Sequence, residues 1–144
     1  MEGLRIRPAV PEELRELEEL QRRASLALEE HREELEAYPD AIELPAEHIG
    51  QTMVAELDGR VAGFAVVLAE SDNAELDGLF VEPELWRQGI GAALIDEATR
   101  DARRQGLSLT VVANPSARGF YERCGFTVEG LAETRFGPAL RMSR

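Results

Sequence analysis

The residues best placed to do chemistry are two closely spaced glycines, Gly89 and Gly91, where an apolar run gives way to a helical pattern. Glycine has no side chain, so the backbone N–H groups beside it can approach a ligand closely. A glycine-rich turn leading into a helix presents unpaired N–H groups and the positive end of the helix dipole. The spacing therefore predicts an anion site, most naturally for a phosphate.

Two common phosphate loops do not match this stretch. A P-loop needs a lysine followed by serine or threonine, and the sequence contains no lysine. A dinucleotide fingerprint needs a third glycine three residues after the second, and that position is Leu94. Taken alone, the loop is equally compatible with a tight turn that binds nothing.

A second group of residues follows the next apolar run and changes this interpretation. Its members are Asn114, Ala117, Tyr121, Gly125 and Phe126. Together with the run Trp86-Arg87-Gln88-Gly89-Ile90-Gly91, this group resembles the GNAT superfamily of N-acetyltransferases, which use acetyl-CoA. The resemblance covers residues 52–130. One departure is Trp86, which stands where the family usually has glutamine or arginine.

The resemblance implies how the co-substrate acetyl-CoA is bound. The pantetheine arm would pair with the backbone of a strand that carries Leu79, Phe80 and Val81. The pyrophosphate would be held by the amides of Arg87, Gln88, Gly89, Ile90, Gly91 and Ala92. Asn114 and Ala117 belong to the second group of contacts, and Asn114 would hydrogen-bond the arm from the partner strand.

The resemblance also implies a catalytic acid, Tyr121, whose phenol can protonate a departing thiolate. Alone, this tyrosine would better suit a packed aromatic side chain on a short helix, and it is the surrounding group of residues that favours catalysis. The base is less defined. An alternating strand would place Glu75, Asp77, Leu79 and Val81 on one face, which makes Glu75 the first candidate base and Asp77 the second. An ordered water is a further alternative.

Composition restricts the function. The length of 144 residues predicts one acetyltransferase domain over residues 1–144. The net charge of −12 argues against nucleic acid and could attract a cationic substrate. No long apolar run or signal-like N-terminus is present, which predicts a cytoplasmic protein that does not span a membrane.

His31 and His48 lack metal-ligand spacing, so no metal is assigned. Cys124 has no histidine near it in sequence, which favours packing over nucleophilic catalysis.

The pattern along the chain predicts a mixed α/β sheet, antiparallel at first and locally parallel at the site, with helices on both faces. The predicted strands cover residues 4–7, 52–57, 61–68, 74–81, 107–113, 126–128 and 139–142. Asp58-Gly59 indicates a hairpin. Helices are predicted after Pro11, over residues 29–37 and 45–49, from Gly91 to a cap at Gly106, and over residues 115–123. The strands at 74–81 and 107–113 should be parallel and, as the resemblance implies, splayed.

The leading hypothesis is an N-acetyltransferase that transfers acetyl to a primary amine of a small molecule or peptide by direct attack in a ternary complex. The alternative is a non-catalytic acyl-CoA-binding or interaction domain of the same fold. Candidate acceptor contacts are Glu33, Glu34, Glu36, Tyr38 and His48, although the glutamate run also suits a solvated helix face. Homodimers are frequent among similar proteins, so a homodimer is a further expectation.

Overall fold

A computed structural model of the chain describes residues 2–27, 37, 43–135 and 137–144. The strands are β1 (Leu4–Pro8), β2 (Thr52–Leu57), β3 (Arg60–Ala69), β4 (Asn73–Val81), β5 (Ser108–Ala113), β6 (Thr127–Thr134) and β7 (Gly137–Ser143). The α-helices in this part are α1 (Leu14–Ala27), α2 (Ile90–Arg104) and α3 (Arg118–Arg123). Short 3-10 turns lie at Pro11–Glu13, Ala46–Gln51, Pro83–Leu85 and Pro115–Ala117.

All seven strands belong to one mixed sheet in the order β1-β2-β3-β4-β5-β7-β6. Its first four strands pair antiparallel, as the sequence predicts. The β2–β3 hairpin turns at Asp58 and Gly59, which both have positive φ, at 52° and 83°. Positive φ at both central residues is the turn geometry that matches the twist of the flanking strands.

The parallel step of the sheet lies between β4 and β5 and is connected by α2. Leu94, Ala98 and Ala102 recur every four residues on α2 and are all buried against the sheet. Gly106 ends the helix with a φ of 74°, and the next amide donates to the Ala102 carbonyl at 2.9 Å. This is a C-terminal cap of the kind that glycine favours, so the predicted helix end is confirmed.

The last strand adopts a position that the sequence pattern does not reveal. β7 pairs with β6, as predicted, but it also pairs with β5 and so separates β5 from β6. β6 is longer than the predicted strand of residues 126–128 and forms an edge of the sheet. Met142 of β7 is fully buried in the core, which favours a position for β7 between β5 and β6 rather than at the sheet edge.

Two hydrophobic cores lie on opposite faces of the sheet. One surrounds α2 and includes Leu94, Phe126 and Met142. The other surrounds α1 and includes Leu17, Leu20 and Phe64. The faces are called the α2 side and the α1 side below. Helices therefore cover both faces, which confirms the predicted mixed α/β architecture.

Part of the predicted acceptor side lies outside the described residues. This applies to the helix expected at residues 29–37, of which only Ala37 is described, and to Glu33, Glu34, Glu36, Tyr38 and His31. Among the helices in the described part of the chain, none combines the length and apolar character needed to cross a bilayer.

Candidate active site

The site begins where β4 and β5 separate. Their parallel pairing runs from Asn73 with Ser108 to Leu76 with Val111 and stops there, five residues before β4 ends. Beyond Leu76, the edge of β4 that faces β5 has no strand beside it. The splay that the resemblance implied is therefore present in the structure.

The register of β3 against β4 identifies the backbone groups that face this gap. The Glu82 amide donates to the Ala62 carbonyl at 2.8 Å, and the preceding pair is Gly63 with Val81. Hydrogen-bonded and non-hydrogen-bonded pairs alternate in an antiparallel ladder. The N–H and C=O groups of Val81, and of Leu79 two residues earlier, therefore point away from β3 and into the gap.

A β-bulge in β4 changes which side chains face the site. Val66 pairs with Gly78 and Val67 with Leu76, so Asp77 is an extra residue with no partner on β3. Leu79 packs in the core on the α2 side, whereas Glu75 lies opposite Leu68, which packs on the α1 side. The expectation that Glu75, Asp77, Leu79 and Val81 share one face is wrong, because the bulge reverses the alternation.

The glycine loop has the geometry expected of an anion site. Arg87 and Gly89 have positive φ, at 67° and 87°, and α2 begins at Ile90. A Cβ placed on Gly89 would meet no atom within 4 Å, so the space in front of this residue is open. The first turn of α2 carries no acidic side chain. The free amides of this turn therefore face an open space without local negative charge.

Trp86 lies at the entrance to this loop. Its indole Nε1 donates a hydrogen bond of 2.8 Å to the carbonyl oxygen of Val81. The 3-10 turn at Pro83–Leu85 reverses the chain and so lets Trp86 reach back to β4. The indole thus occupies one of the backbone acceptors that face the gap.

The second group of residues continues from the end of β5. Asn114 follows the strand and begins a 3-10 turn, in which the Ala117 amide donates to the Asn114 carbonyl at 2.8 Å. Tyr121 lies on α3 and packs edge-on against Phe120 and Phe126, with ring centroids 5.1 and 5.3 Å away. This packing fixes the direction of the phenol.

Burial of the Tyr121 ring, with a smaller effect of the neighbouring Cys124, raises the pKa of the phenol to about 12. Among the described residues, none is hydrogen-bonded to its hydroxyl, and the residue lines the cavity below. Tyr121 is therefore protonated at neutral pH, with a donor that no described side chain uses.

A cavity of about 840 Å³ joins these parts. Of the sequence-predicted residues, it is lined by Leu79, Phe80, Val81, Arg87, Gly89, Ile90, Gly91, Ala92, Asn114, Ala117 and Tyr121. Gln88 and Glu75 do not line it. The cavity also contacts residues that the sequence did not single out, which are Ala24, Ser25, Leu85, Val112, Ala113, Ser116 and Phe120. Ala24 and Ser25 belong to the last turn of α1, and only the fold brings them here.

Three further candidates are placed as follows. Burial raises the pKa of the Glu75 carboxyl, Asp77 and Glu70 raise it further by repulsion, and Arg141 opposes them. His48 lies on the turn Ala46–Gln51 with its Nδ1 buried and unpaired among the described residues, and it does not line the cavity. Cys124 is half-buried and packs against the α2-side core, and burial raises the pKa of its thiol.

Comparison with known proteins places this geometry in context. Residues 12–126 match the acetyltransferase (GNAT) family. Over 73 residues the chain is 34% identical to the [ribosomal protein bS18]-alanine N-acetyltransferase of Escherichia coli, and the match spans about half of each protein, 48% of this chain and 49% of that enzyme.

Two solved structures share the fold. A GCN5-related N-acetyltransferase from Rhodopseudomonas palustris superposes with a TM-score of 0.84 at 27% identity, covering 100% of this chain and 96% of that one. The PaiA N-acetyltransferase of Thermoplasma acidophilum, crystallised with coenzyme A, superposes with a TM-score of 0.74 at 21% identity, covering 98% of each chain. The split sheet, the amide loop and the family match lead to one conclusion: the chain belongs to the acetyltransferase (GNAT) family.

Proposed function

We propose that this protein is an N-acetyltransferase that moves the acetyl group of acetyl-CoA to a primary amine by direct attack in a ternary complex. One observation carries the proposal. A single cavity joins the unpaired edge of β4, the open amides at the start of α2 and the hydroxyl of Tyr121. A thioester acyl donor with a long amide-containing arm and a pyrophosphate needs these three features together.

The residues present fit this co-substrate. Leu79 and Val81 offer backbone N–H and C=O groups that no strand uses, which suits the amides of a pantetheine arm. The amides of Arg87 to Ala92 would hold the pyrophosphate at the N-terminus of α2. Asn114 and Ala117 would contact the arm from the β5 side. Gln88 is retained in this set for its backbone amide alone.

The acid role is assigned to Tyr121. Acetyl-CoA supplies an acetyl group activated as a thioester. When the amine nitrogen bonds to the acetyl carbon and the carbon–sulfur bond breaks, the Tyr121 hydroxyl gives its proton to the departing sulfur. The amine gives its proton to the base. The base then releases that proton to solvent and the tyrosinate takes one up, so both groups return to their starting states. The products are an amide and a free thiol.

The base role is assigned to Glu75 acting through water. Its carboxylate faces the α1 side, where Ala24 and Ser25 of α1 close the cavity. An amine that enters from this side would meet the cavity beside Phe80, which packs on the same face. Because Glu75 does not line the cavity, a water must relay the proton. Asp77, the unpaired residue of the bulge, is the second candidate.

The acceptor class that we propose is the amine of a peptide or of a small molecule. The E. coli relative is named for acetylating an alanine of ribosomal protein bS18, which is a peptide amine. The net charge of −12 would attract a cationic acceptor of either kind. His48, on the turn before β2, stays a candidate acceptor contact on the α1 side. The net charge of −12 gives no support for binding nucleic acid.

Three wider features complete the proposal. We assign residues 1–144 to one acetyltransferase domain, supported by the single sheet that spans β1 to β7. We place the reaction in the cytoplasm, where acetyl-CoA is supplied. We propose a homodimer through β6, because this edge strand carries Leu131 with 75% of its surface exposed. Light scattering on the purified protein tests the last point.

The test of the function combines binding and turnover. Calorimetric titration with acetyl-CoA should show micromolar binding, while dephospho-CoA and ATP serve as controls for the adenine end. A screen of peptide and small amines, followed by thiol release, should then identify an acceptor. Binding without thiol release for any amine would favour a non-catalytic acyl-CoA-binding domain. No binding at millimolar acetyl-CoA would reject the proposal.

A further inference from the structure

The open edge of β4 provides four backbone polar groups, the N–H and C=O of Leu79 and those of Val81. In this structure the four groups are not equivalent. The Val81 carbonyl already accepts the indole N–H of Trp86 at 2.8 Å, and the ring lines the cavity beside it. With a donor on it and an aromatic ring next to it, this oxygen is the poorer of the two acceptors.

We propose that Trp86 is a positioning residue that sets the register in which the pantetheine arm pairs with β4. This inference rests on the proposed function, because it assumes that the arm lies along this edge. Equivalent positions on a strand edge repeat every two residues, about 6.6 Å. An arm bound one repeat too far out would have to donate to the Val81 carbonyl instead of the Leu79 carbonyl. Trp86 already occupies one lone pair of that oxygen and places its ring beside it, so the inner register is favoured.

The consequence concerns the thioester. A displacement of about 6.6 Å is about twice the length of a hydrogen bond, so the outer register would separate the sulfur from the Tyr121 hydroxyl. Co-substrate bound in that register would be held but could not react. The Trp86 hydrogen bond therefore removes an unproductive binding mode, and it needs no direct contact with the reacting atoms.

The kinetic signature of an unproductive mode is specific. It lowers kcat and the KM for acetyl-CoA by the same factor and leaves kcat/KM unchanged. Trp86→Phe keeps an aromatic ring but lacks the donor. We expect both constants to fall about two- to tenfold, the range that one net hydrogen bond is worth. A residue with a merely structural role would instead raise KM or lower kcat/KM.

A spectroscopic readout is independent of activity. Trp86 is the only tryptophan in the chain, so a ¹⁵N-labelled sample gives one indole N–H signal. We expect this signal to exchange with solvent more slowly than the indole of free tryptophan, because it is hydrogen-bonded, and to remain so when acetyl-CoA is added. If the signal instead becomes fast-exchanging in the complex, the arm has displaced the indole from Val81 and the proposal is wrong.

Two variants control the experiment. Glu84→Gln changes an exposed side chain of the same turn that does not line the cavity, and it should leave kcat and KM unchanged. Trp86→Arg restores a donor and should return both constants towards the original values. Failure of acetyl-CoA to bind the unaltered protein would overturn the proposed function and this role together. Normal binding with an unchanged kcat in Trp86→Phe would overturn this role alone.

Discussion

Glu75 and Leu79 lie on opposite faces of β4, although they are four positions apart and an uninterrupted strand would place them on the same face. The extra residue of the bulge, Asp77, reverses the alternation between them. As a result the candidate base faces the α1 side, while the side chains of Leu79 and Val81 pack on the α2 side. The strand can thus present backbone to the co-substrate and a carboxylate to the acceptor.

The acid role of Tyr121 is tested by Tyr121→Phe. The ring packing against Phe120 and Phe126 is retained, so the fold and acetyl-CoA affinity should stay near normal. Turnover should fall by roughly 10²–10⁴-fold, the usual contribution of a positioned acid. Initial-rate assays of thiol release measure turnover, and calorimetry on the same sample measures acetyl-CoA affinity. Turnover equal to that of the unaltered protein would remove Tyr121 from the mechanism.

The pH dependence follows from Glu75. A base works in its ionised form, which is populated above its pKa, and burial with repulsion from Asp77 and Glu70 raises the pKa of this carboxyl. The acidic limb of kcat/KM against pH should therefore lie above the ordinary glutamate range. Asp77→Asn removes one repulsive charge, so it should lower the pKa of Glu75 and move this limb to lower pH.

Two observations would contradict that account. Glu75→Gln should remove the acidic limb along with most of the activity, and an unchanged limb in this variant would assign it to another group. At the alkaline end of the profile, the Tyr121 phenol should stay protonated, because its pKa is about 12. A fall in rate near pH 10 that Tyr121→Phe abolishes would show that the phenol ionises earlier than its burial implies.

The amide loop is tested by a matched pair of glycine substitutions. Gly89 and Gly106 both have positive φ, at 87° and 74°, and a Cβ on either meets no atom within 4 Å. Alanine at either position should cost a similar amount of stability, about 1–2 kcal/mol, because the backbone strain is the same. Only Gly89→Ala places a methyl group in front of the loop amides, so only this variant should lose acetyl-CoA affinity. Equal affinities in thermal-shift titrations would place the pyrophosphate elsewhere.

The ion pair between Arg23 and Glu82 connects α1 to the end of β4. Both pairs of atoms, Nε with Oε1 and Nη2 with Oε2, are 3.0 Å apart. Half of the Arg23 side chain is exposed, so Arg23→Met should cost less than about 1 kcal/mol of stability. Because the next residues of α1 line the cavity, the KM for the amine should rise more than the KM for acetyl-CoA.

The control for this variant is Arg100→Met, which breaks an exposed pair with Glu97 on α2, away from the cavity. It should leave both KM values unchanged. High salt should reproduce the effect of Arg23→Met in the unaltered protein, since exposed pairs are screened. A KM for the amine that responds to neither change would mean that the position of α1 does not depend on this pair.

Local patterns in the sequence were sufficient for much of the fold. The hairpin at Asp58-Gly59, the helix capped by Gly106 and the parallel step across α2 each depend on residues close together in the chain. Spacing locates the loop glycines, and the resemblance to the GNAT family locates Asn114, Ala117 and Tyr121. The structure brings all of them to one cavity.

What the sequence could not provide depends on long-range pairing. The bulge at Asp77 exists only because Val66 and Val67 of β3 skip a residue on β4, and no local signal marks it. The indole hydrogen bond of Trp86 requires the chain to reverse at Pro83–Leu85 and return to its own strand. Ala24 and Ser25 reach the cavity because α1 packs on the sheet face opposite α2, where its last turn closes one side of the cavity.

The position of β7 between β5 and β6 also orders events during synthesis. β6 leaves the ribosome before β7, yet among the described strands it pairs with β7 alone. Until residues 137–143 have emerged, β6 has two unpaired edges and β5, which forms one wall of the gap, lacks its outer neighbour. A nascent chain that ends before β7 therefore contains the glycine loop and Tyr121, but its β5 strand lacks the neighbour that holds it in the sheet. We expect the ability to bind acetyl-CoA to be acquired in one late step rather than gradually.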